Sequence, residues 1–314
     1  MTAAMPPAPS LPIGETTLDL VGNTPLVRLR GLEAEVDGTV EIWGKLEYMN
    51  PGGSVKDRPA RQMLRDALDS GALQPGGSII DSTSGNTGVA YAMLGAALGV
   101  GVTLVMPSNV SQARKDIVEA YGATIIYSDP MEGSDGAIRL AKEIVDRETG
   151  RYFYPDQYAN PSNPRAHELT TGPEIWRDTR GRVTHFVAGL GTTGTIMGTG
   201  RALRRLNPAI RIVAVEPDQA FHGLEGLKHL DSSIVPAIYD PSGHDEGLRI
   251  STEDGWDMAE RLAAEEGLAV GYSSGANAYG ALQVARTLSH GVIVCILCDH
   301  ADRYIAPRRL GGSR

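Results

Sequence analysis

Short apolar runs alternate with longer helical patterns through most of this 314-residue chain. The apolar runs cover residues 40–43, 78–80, 102–106, 124–127, 185–188, 211–215 and 292–297. Helical patterns with start and stop signals cover residues 58–70, 86–98, 112–121, 136–148 and 252–266. A strand–helix–strand rhythm of this kind is typical of parallel sheets flanked by helices. The alternation therefore predicts an α/β fold, in which ligands bind beyond the carboxyl ends of the strands.

The charge balance narrows the possible partners. The formal net charge is −9 and the sequence pI is near 5.3, so the chain lacks the basic field typical of nucleic-acid and anionic-membrane surfaces. Residues 82–113 carry no charge and resemble a membrane span in length, but Gly99 and Pro107 divide them into a helix and a short buried strand. We therefore expect no nucleic-acid and no membrane partner, whereas a small anionic metabolite is compatible.

Cysteine content and the first residues bear on location. Cys295 and Cys298 are too few for a disulfide framework, which favours a reducing, cytoplasmic compartment. Three positions apart on a strand, they would face opposite sides of the sheet, which indicates buried strand cysteines instead of a redox or zinc pair. Residues 1–16 lack the basic region of a signal peptide and contain several prolines, so we expect a loose arm.

A glycine-rich loop with one lysine follows the first long strand. It has the sequence Asn50-Pro-Gly-Gly-Ser-Val-Lys-Asp-Arg58 and opens a predicted helix. The positive end of a helix dipole favours a neutral amine at Lys56, and a neutral amine is what an imine requires. A solvated lysine in a glycine turn is the alternative that the same residues allow.

Two further loops place hydroxyl groups at helix starts. Ser82-Thr-Ser-Gly-Asn-Thr-Gly88 offers hydroxyls, an amide and backbone N–H groups that suit a carboxylate. Gly271-Tyr-Ser-Ser-Gly-Ala276 places a serine hydroxyl where it can bond a ring nitrogen. Each loop, taken singly, is also compatible with an ordinary helix N-cap.

A third glycine-rich loop follows the apolar run at 185–188. Its sequence, Gly189-Leu-Gly-Thr-Thr-Gly-Thr195, allows a tight turn whose N–H groups and hydroxyls bind a phosphate at a helix start. The same glycines match the dinucleotide pattern G-x-G-x-x-G, and Glu216 ends the next strand where a ribose-binding acid belongs. Local pattern leaves an NAD site open as the alternative.

In this order, the four loops resemble the fold-type II pyridoxal-phosphate family of cysteine synthases and cystathionine β-synthases, most closely the cysteine synthase branch. The likeness runs from Gly22-Asn-Thr-Pro-Leu26 to Asp302-Arg-Tyr304 and includes Asn160–Pro164 and Thr170-Thr-Gly-Pro-Glu174. It implies two parallel-sheet, three-layer α/β domains with the cofactor in the cleft, as in the tryptophan synthase β chain. The large domain would comprise residues 1–54 and 161–314, and a small mobile domain residues 55–160.

The resemblance also implies roles for individual residues. Lys56 would form a Schiff base with pyridoxal 5′-phosphate, Asn86 would bind the 3′-oxygen, and Ser273 would meet the pyridine nitrogen. The phosphate would lie against Gly191, Thr192, Thr193, Gly194 and Thr195, and the substrate carboxylate against Thr83, Ser84, Thr87 and Gln157. Lys56, once released from the imine, would remove and return the α-proton. The resemblance implies no metal.

The implied reaction is a β-replacement that makes L-cysteine. An activated serine, O-phosphoserine or O-acetylserine, would lose its leaving group to give an aminoacrylate, to which sulfide or a thiocarboxylated sulfur-carrier protein would add sulfur. Cystathionine β-synthase activity on serine and homocysteine is the alternative, to which residues 156–160 and His167 bear some likeness. A serine or threonine dehydratase is a further alternative of the same fold. Family members are usually homodimers.

One lysine bears on the identity of the leaving group. Lys228, in Gly223-Leu-Glu-Gly-Leu-Lys-His229, falls where phosphoserine-using relatives carry an arginine. A cation there can bind a substrate phosphate, although lysine lacks the bidentate fork of arginine. A surface lysine without a role is the other interpretation.

Overall fold

The computed structural model describes residues 14–304, which contain two β-sheets and the helices around them. The strands are β1 (Leu26–Arg28), β2 (Thr39–Leu46), β3 (Ser78–Ser82), β4 (Gly101–Pro107), β5 (Thr124–Ser128), β6 (Tyr152–Phe153), β7 (His185–Gly189), β8 (Arg211–Pro217), β9 (Glu246–Ile250) and β10 (His290–Leu297). The α-helices are α1 (Arg30–Glu33), α2 (Asp57–Asp69), α3 (Asn86–Leu98), α4 (Gln112–Ala120), α5 (Gly133–Arg147), α6 (Ser162–Leu169), α7 (Thr171–Asp178), α8 (Gly194–Leu206), α9 (Thr252–Glu266) and α10 (Tyr272–Ala285). The predicted α/β fold is confirmed.

The larger sheet has the strand order β1-β2-β10-β7-β8-β9. All neighbouring pairs are parallel except β1 with β2. Alternate residues of its central strands enter two different cores: Ile293 and Cys295 pack with residues of α9 and α10, whereas Val294 and Ile296 pack with residues of α7 and α8. Because side chains alternate across a strand, helices on both faces explain why these strands are apolar throughout. This sheet is therefore the middle of three layers.

The smaller sheet has the order β5-β4-β3-β6 and is parallel throughout. Ile79 and Leu104 pack toward α2 and α3, while Ile80 and Val105 pack toward α5. The smaller sheet thus has the same three-layer arrangement, as expected. Its strands fall within residues 78–153, and the exact domain limits of 1–54, 55–160 and 161–314 stay a prediction.

Two of the predictions concern the cysteines and the N-terminal arm. Cys295 is a buried residue of β10, as expected, but Cys298 is not a strand residue, because β10 ends at Leu297. The Cys298 N–H donates to Ser274 Oγ over 2.8 Å, so the prediction that both cysteines are strand residues holds for Cys295 alone. Of the predicted N-terminal arm, residues 1–13 lie outside the described part of the chain. No helix between residues 14 and 304 is long and apolar enough to cross a bilayer.

Candidate active site

The loops after several strands meet around two adjoining cavities. The smaller has a volume of about 40 Å³ and the larger about 770 Å³, and they share Lys56, Asn86 and Gly191 in their walls. Of the other predicted site residues, Thr192, Thr193, Thr195 and Ser273 line the smaller cavity, and Thr83, Ser84, Thr87, Gln157, Thr192 and Lys228 line the larger. Gly194 lines neither cavity. The structure brings the predicted set together, while the role of each residue stays a prediction.

Lys56 stands at the N-terminus of α2, as the sequence predicts. Its loop is fixed to the end of β10, because the Val55 N–H donates to the Cys298 carbonyl over 2.8 Å and Ser54 forms a bridge with Asp299. This attachment holds the lysine at the boundary of the two cavities.

A buried charge network anchors the same loop from the other side. The Arg58 guanidinium, 0% exposed, donates to both carboxylate oxygens of Glu47 and of Glu174 at 2.7–2.8 Å. Lys45 Nζ lies 2.8 Å from Glu174. Burial alone raises the pKa of Glu174, but the hydrogen bonds and charge of Arg58 outweigh it and lower the pKa to about 2. Arg58 and Glu174 each stand in a sequence motif, but their pairing, which spans 116 positions, was not predicted.

Asp57, next to the lysine, is also buried. Its Oδ2 accepts a 2.5 Å hydrogen bond from the Gly52 N–H, and burial raises the pKa of its carboxyl group to about 7. This bond closes the glycine turn onto the first residue of α2, so the turn and the helix form one rigid unit.

The 189–195 loop follows β7 and opens α8. Thr193 has a left-handed backbone (φ 69°), a conformation that costs about 1–3 kcal/mol for a residue other than glycine and is common at functional sites. Its buried Oγ1 has no hydrogen-bond partner among residues 14–304. The first N–H groups of a helix also lack partners within the helix, so donors converge on this position. Unpaired donors at a helix start fit a phosphate group.

Glycine is required at two positions of this loop. A Cβ on Gly191 would lie 2.3 Å from the Gly226 carbonyl oxygen, and one on Gly194 would lie 1.9 Å from Asn163 Oδ1. Gly194 therefore lets α8 start close against Asn163, although it does not itself line a cavity. The Asn163 amide also donates to the Gln157 carbonyl (2.7 Å) and to Thr192 Oγ1 (3.2 Å), so it joins this loop to Gln157.

His167 lies behind the same loop. Its Nδ1 is 2.9 Å from Thr171 Oγ1 and its Nε2 is 3.3 Å from Thr195 Oγ1. Burial, assisted by the nearby positive charge of Arg58, lowers the pKa of His167 to about 3, so the ring is neutral near pH 7. A neutral imidazole can fix the Thr195 hydroxyl without adding charge.

The 82–88 loop leads into α3, which begins at Asn86. Thr87 Oγ1 donates to Gln157 Oε1 over 2.8 Å, which brings Gln157 to the loop across 70 positions. Asn86 Nδ2 donates to Asp299 Oδ2 over 2.6 Å, and Asn86 Oδ1 accepts from Arg303. Asp299 and Arg303 were not predicted as site residues. The family resemblance extends to Asp302-Arg-Tyr304, but it assigned no role to residues of this segment.

Ser273 is a buried residue in the first turn of α10 and lines the smaller cavity beside Cys298. Burial raises the pKa of the Cys298 thiol to about 11, so it stays protonated near neutral pH. Ser273 and Asn277 are the two α10 residues with polar side chains in the wall of this cavity. That Ser273 meets a ring nitrogen stays a prediction.

Lys228 is half-buried in the wall of the larger cavity. Its Nζ lies 5.0 Å from the centroid of the Tyr158 ring, and its backbone N–H donates to the Leu190 carbonyl over 2.7 Å. Burial lowers the pKa of the ammonium group, although Asp135 opposes the shift. No carboxylate among residues 14–304 forms an ion pair with it.

Glu216, the acid required by the dinucleotide interpretation, does not line either cavity. Its carboxylate accepts from the Leu230 N–H over 3.2 Å and lies 3.4 Å from Arg249. It faces a separate cavity with Tyr239 and His244. The geometry therefore argues against an NAD site at this cleft.

Comparisons with known proteins agree with the geometry. The model of the family described as pyridoxal-phosphate dependent enzyme matches residues 17–299. A cysteine synthase of Aquifex aeolicus is 52% identical over 93% of this chain and 90% of that protein, and cysteine synthase B of Pseudomonas aeruginosa is 44% identical over 93% and 96%. The solved structure of a cysteine synthase from Entamoeba histolytica has a TM-score of 0.92 at 34% identity, covering 99% of this chain and 95% of that one.

Proposed function

The chain belongs to the pyridoxal-phosphate-dependent enzyme family and catalyses cysteine synthesis. For this reaction we propose that the amino-acid donor is O-phospho-L-serine. Lys228 would bind the phosphate of the donor. O-Acetyl-L-serine is the competing donor.

The residues around the smaller cavity and the adjoining wall of the larger one fit pyridoxal phosphate, which is too large for the smaller cavity alone. We propose that Lys56 bonds the cofactor covalently, that Asn86 and Ser273 bind its ring substituents, and that the Gly191–Thr195 loop holds its phosphate. The Thr193 hydroxyl, which has no partner among residues 14–304, supports this assignment together with the N–H groups at the start of α8. Gly191 allows the loop to approach the Gly226 carbonyl closely. When bound, the cofactor withdraws electrons from the α-carbon and so allows the β-substituent to leave.

The 82–88 loop and Gln157 would orient the substrate. Thr83, Ser84 and Thr87 offer hydroxyls at the start of α3, where the helix dipole favours a carboxylate. With the carboxylate held there, Lys56 Nζ at the cavity boundary could accept the α-proton and return it after sulfur has added.

The single observation that favours phosphoserine is the environment of Lys228. A half-buried ammonium with no ion-pair partner among residues 14–304 has lost hydration that the more distant Asp135 carboxylate replaces only in part, so a phosphate would supply the missing interaction. The Tyr158 ring directs the ammonium by a cation–π contact. The acetyl group of O-acetylserine carries no charge and would leave the ammonium unpaired.

Steady-state kinetics with both donors test this assignment. Lys228→Ala should lower kcat/KM for O-phosphoserine by about 10-fold to 100-fold, which is the loss expected for a charge-assisted contact, and Lys228→Arg should retain most of it. With O-acetylserine, kcat/KM should change less than about threefold. Lys142, exposed on α5 and outside both cavities, provides the matched control Lys142→Ala. Equal losses with both donors, or a preference of the unaltered enzyme for O-acetylserine, would disprove the phosphate role.

For the sulfur donor we propose sulfide and, as a second source, a thiocarboxylated carrier protein. The larger cavity exceeds the space that sulfide needs and could admit a chain end. Cysteine formation from a C-terminal peptide thiocarboxylate, measured without sulfide, would support the second source, and its absence would leave sulfide alone. The homodimer, the cytoplasmic location and the mobility of residues 55–160 remain predictions of the sequence.

A further inference from the structure

The side-chain amide of Asn86 is held at both ends by groups of fixed polarity. Its Nδ2 donates to Asp299 Oδ2 over 2.6 Å, and its Oδ1 accepts from an Arg303 N–H. A guanidinium only donates hydrogen bonds, so the amide atom that contacts Arg303 is the oxygen and the nitrogen faces Asp299. Together, the two contacts decide which end of the amide is nitrogen, a choice that an isolated asparagine leaves open.

Asp299 is itself rigidly placed. It is 1% exposed and directly follows Cys298 after the end of β10. Its carbonyl accepts from the Gly271 N–H over 3.0 Å, and its backbone bridges to Ser54 in the lysine loop. Asp299 is thereby tied to the segments that carry Lys56 and Ser273.

Two donors converge on one oxygen of this carboxylate. The Tyr304 hydroxyl also donates to Oδ2, over 2.5 Å, while Oδ1 is buried and has no partner among residues 14–304. Convergence of two donors on Oδ2 identifies that oxygen as the acceptor. The polarity of the Asn86 amide itself follows from the Arg303 contact, because a guanidinium can only donate.

We propose that Asp299 is a positioning residue that acts on the cofactor through Asn86. One Nδ2 hydrogen of Asn86 is committed to Asp299, so the second is the one available to the 3′-oxygen of the bound cofactor. A reversed amide would present its oxygen to that position and would repel it. The inference rests on the role proposed above for Asn86, and Arg303 assists by holding the other end of the amide.

A double-mutant cycle on cofactor binding tests the inference. Asn86→Ala, Asp299→Ala and the double variant would be freed of cofactor, and pyridoxal phosphate would be titrated back while the visible absorbance band is recorded. Each single change should weaken apparent affinity by about tenfold or more. The double variant should be about as weak as Asn86→Ala alone, because interacting residues are not additive. The proposal would be refuted if the double variant lost affinity by the product of the two single losses. It would also be refuted if either single variant kept the original affinity.

A conservative substitution separates position from charge. In Asp299→Asn, the amide oxygen can take the place of Oδ2 and accept from both Asn86 and Tyr304. We therefore expect cofactor affinity and the position of the visible band to return to within about threefold and a few nanometres, respectively, of the original enzyme. If Asp299→Asn behaves as Asp299→Ala does, the charge matters and not the orientation, and the proposal is wrong.

Two readouts guard against simpler explanations. Thermal unfolding of each cofactor-free variant shows whether it is folded at the temperature of the titration, and only folded variants enter the cycle. Donor kinetics of the Lys228 variants do not depend on this cycle. A negative result here would therefore leave the phosphoserine assignment standing, and failure of that assignment would leave this cycle interpretable.

Discussion

Thr87 Oγ1 donates a 2.8 Å hydrogen bond to Gln157 Oε1, joining the start of α3 to the segment that follows β6. This contact orients the Gln157 amide so that its nitrogen faces away from Thr87. The amide N–H groups are then available to an anionic substrate group, which neither residue could ensure alone.

Loss of this contact should weaken donor binding selectively. We expect Gln157→Ala to raise the KM for the serine donor by about tenfold, the cost of one or two hydrogen bonds to a charged group, while the visible cofactor band is unchanged. Gln74→Ala, at an exposed glutamine outside both cavities, serves as the control. A changed cofactor band with an unaltered KM would show that Gln157 acts on the cofactor instead.

Adding one carbon at Gly194 should disturb the phosphate loop. In Gly194→Ala, the new Cβ would lie 1.9 Å from Asn163 Oδ1, so the start of α8 must move. We expect the affinity for pyridoxal phosphate, titrated into the cofactor-free protein, to fall at least tenfold. Gly247→Ala in β9 has no heavy atom within 4 Å of its new Cβ and should bind the cofactor normally. Normal affinity in Gly194→Ala would mean that this loop does not hold the phosphate.

The buried pairing of Arg58 with two carboxylates should dominate the stability of the lysine loop. Arg58→Met leaves Glu47 and Glu174 without their main partner, and the free energy of unfolding in urea should fall by roughly 3–5 kcal/mol. Arg177, whose ion pair with Asp178 is exposed, gives the matched control: Arg177→Met should change stability by less than about 1 kcal/mol. Similar losses in both variants would show that burial of the network contributes little.

The buried histidine gives a pH dependence of known sign. The pKa of His167 is about 3 in the folded protein and 6.5 ordinarily, so between these values the unfolded chain binds the extra proton. The folded state is therefore penalised as pH falls below about 6.5. Comparison with His167→Asn cancels the contributions of other groups. The difference in unfolding free energy between the two proteins should be constant from pH 7.5 to 8.5. From pH 6.5 to 4.5 the unfolding free energy of the original protein should fall relative to that of His167→Asn. A constant difference over the whole range would contradict the buried neutral assignment.

Local signals were sufficient where they marked both ends of an element. Helices α3 and α9 were predicted to the residue, because Gly99 and Gly267 end them in the left-handed conformation (φ 66° and 70°) and the Ser251 side chain caps the start of α9. The three-residue β1 and two-residue β6 were missed, since runs so short show no periodicity. Helices α6 and α7 were missed because Pro164 and Pro173 suggest a loop, although proline is accommodated in the first turn of a helix.

Some site residues could likewise be predicted from local sequence, whereas others could not. Lys56, Asn86 and Ser273 stand in motifs whose residues are adjacent in the chain, so the motifs could be found one loop at a time. Asp299 contacts Asn86 across 213 positions, and the sequence around neither residue predicts that contact. Pairings of this kind depend on how the sheets bring distant loops together, and only the folded structure shows them.

The end of β10 connects two sides of the smaller cavity. The Cys298 carbonyl accepts from the Val55 N–H beside Lys56, and the Cys298 N–H donates to Ser274 Oγ beside Ser273. A local opening of this segment would therefore break both contacts at once. The lysine loop and the start of α10 are in this way coupled through one short stretch of chain.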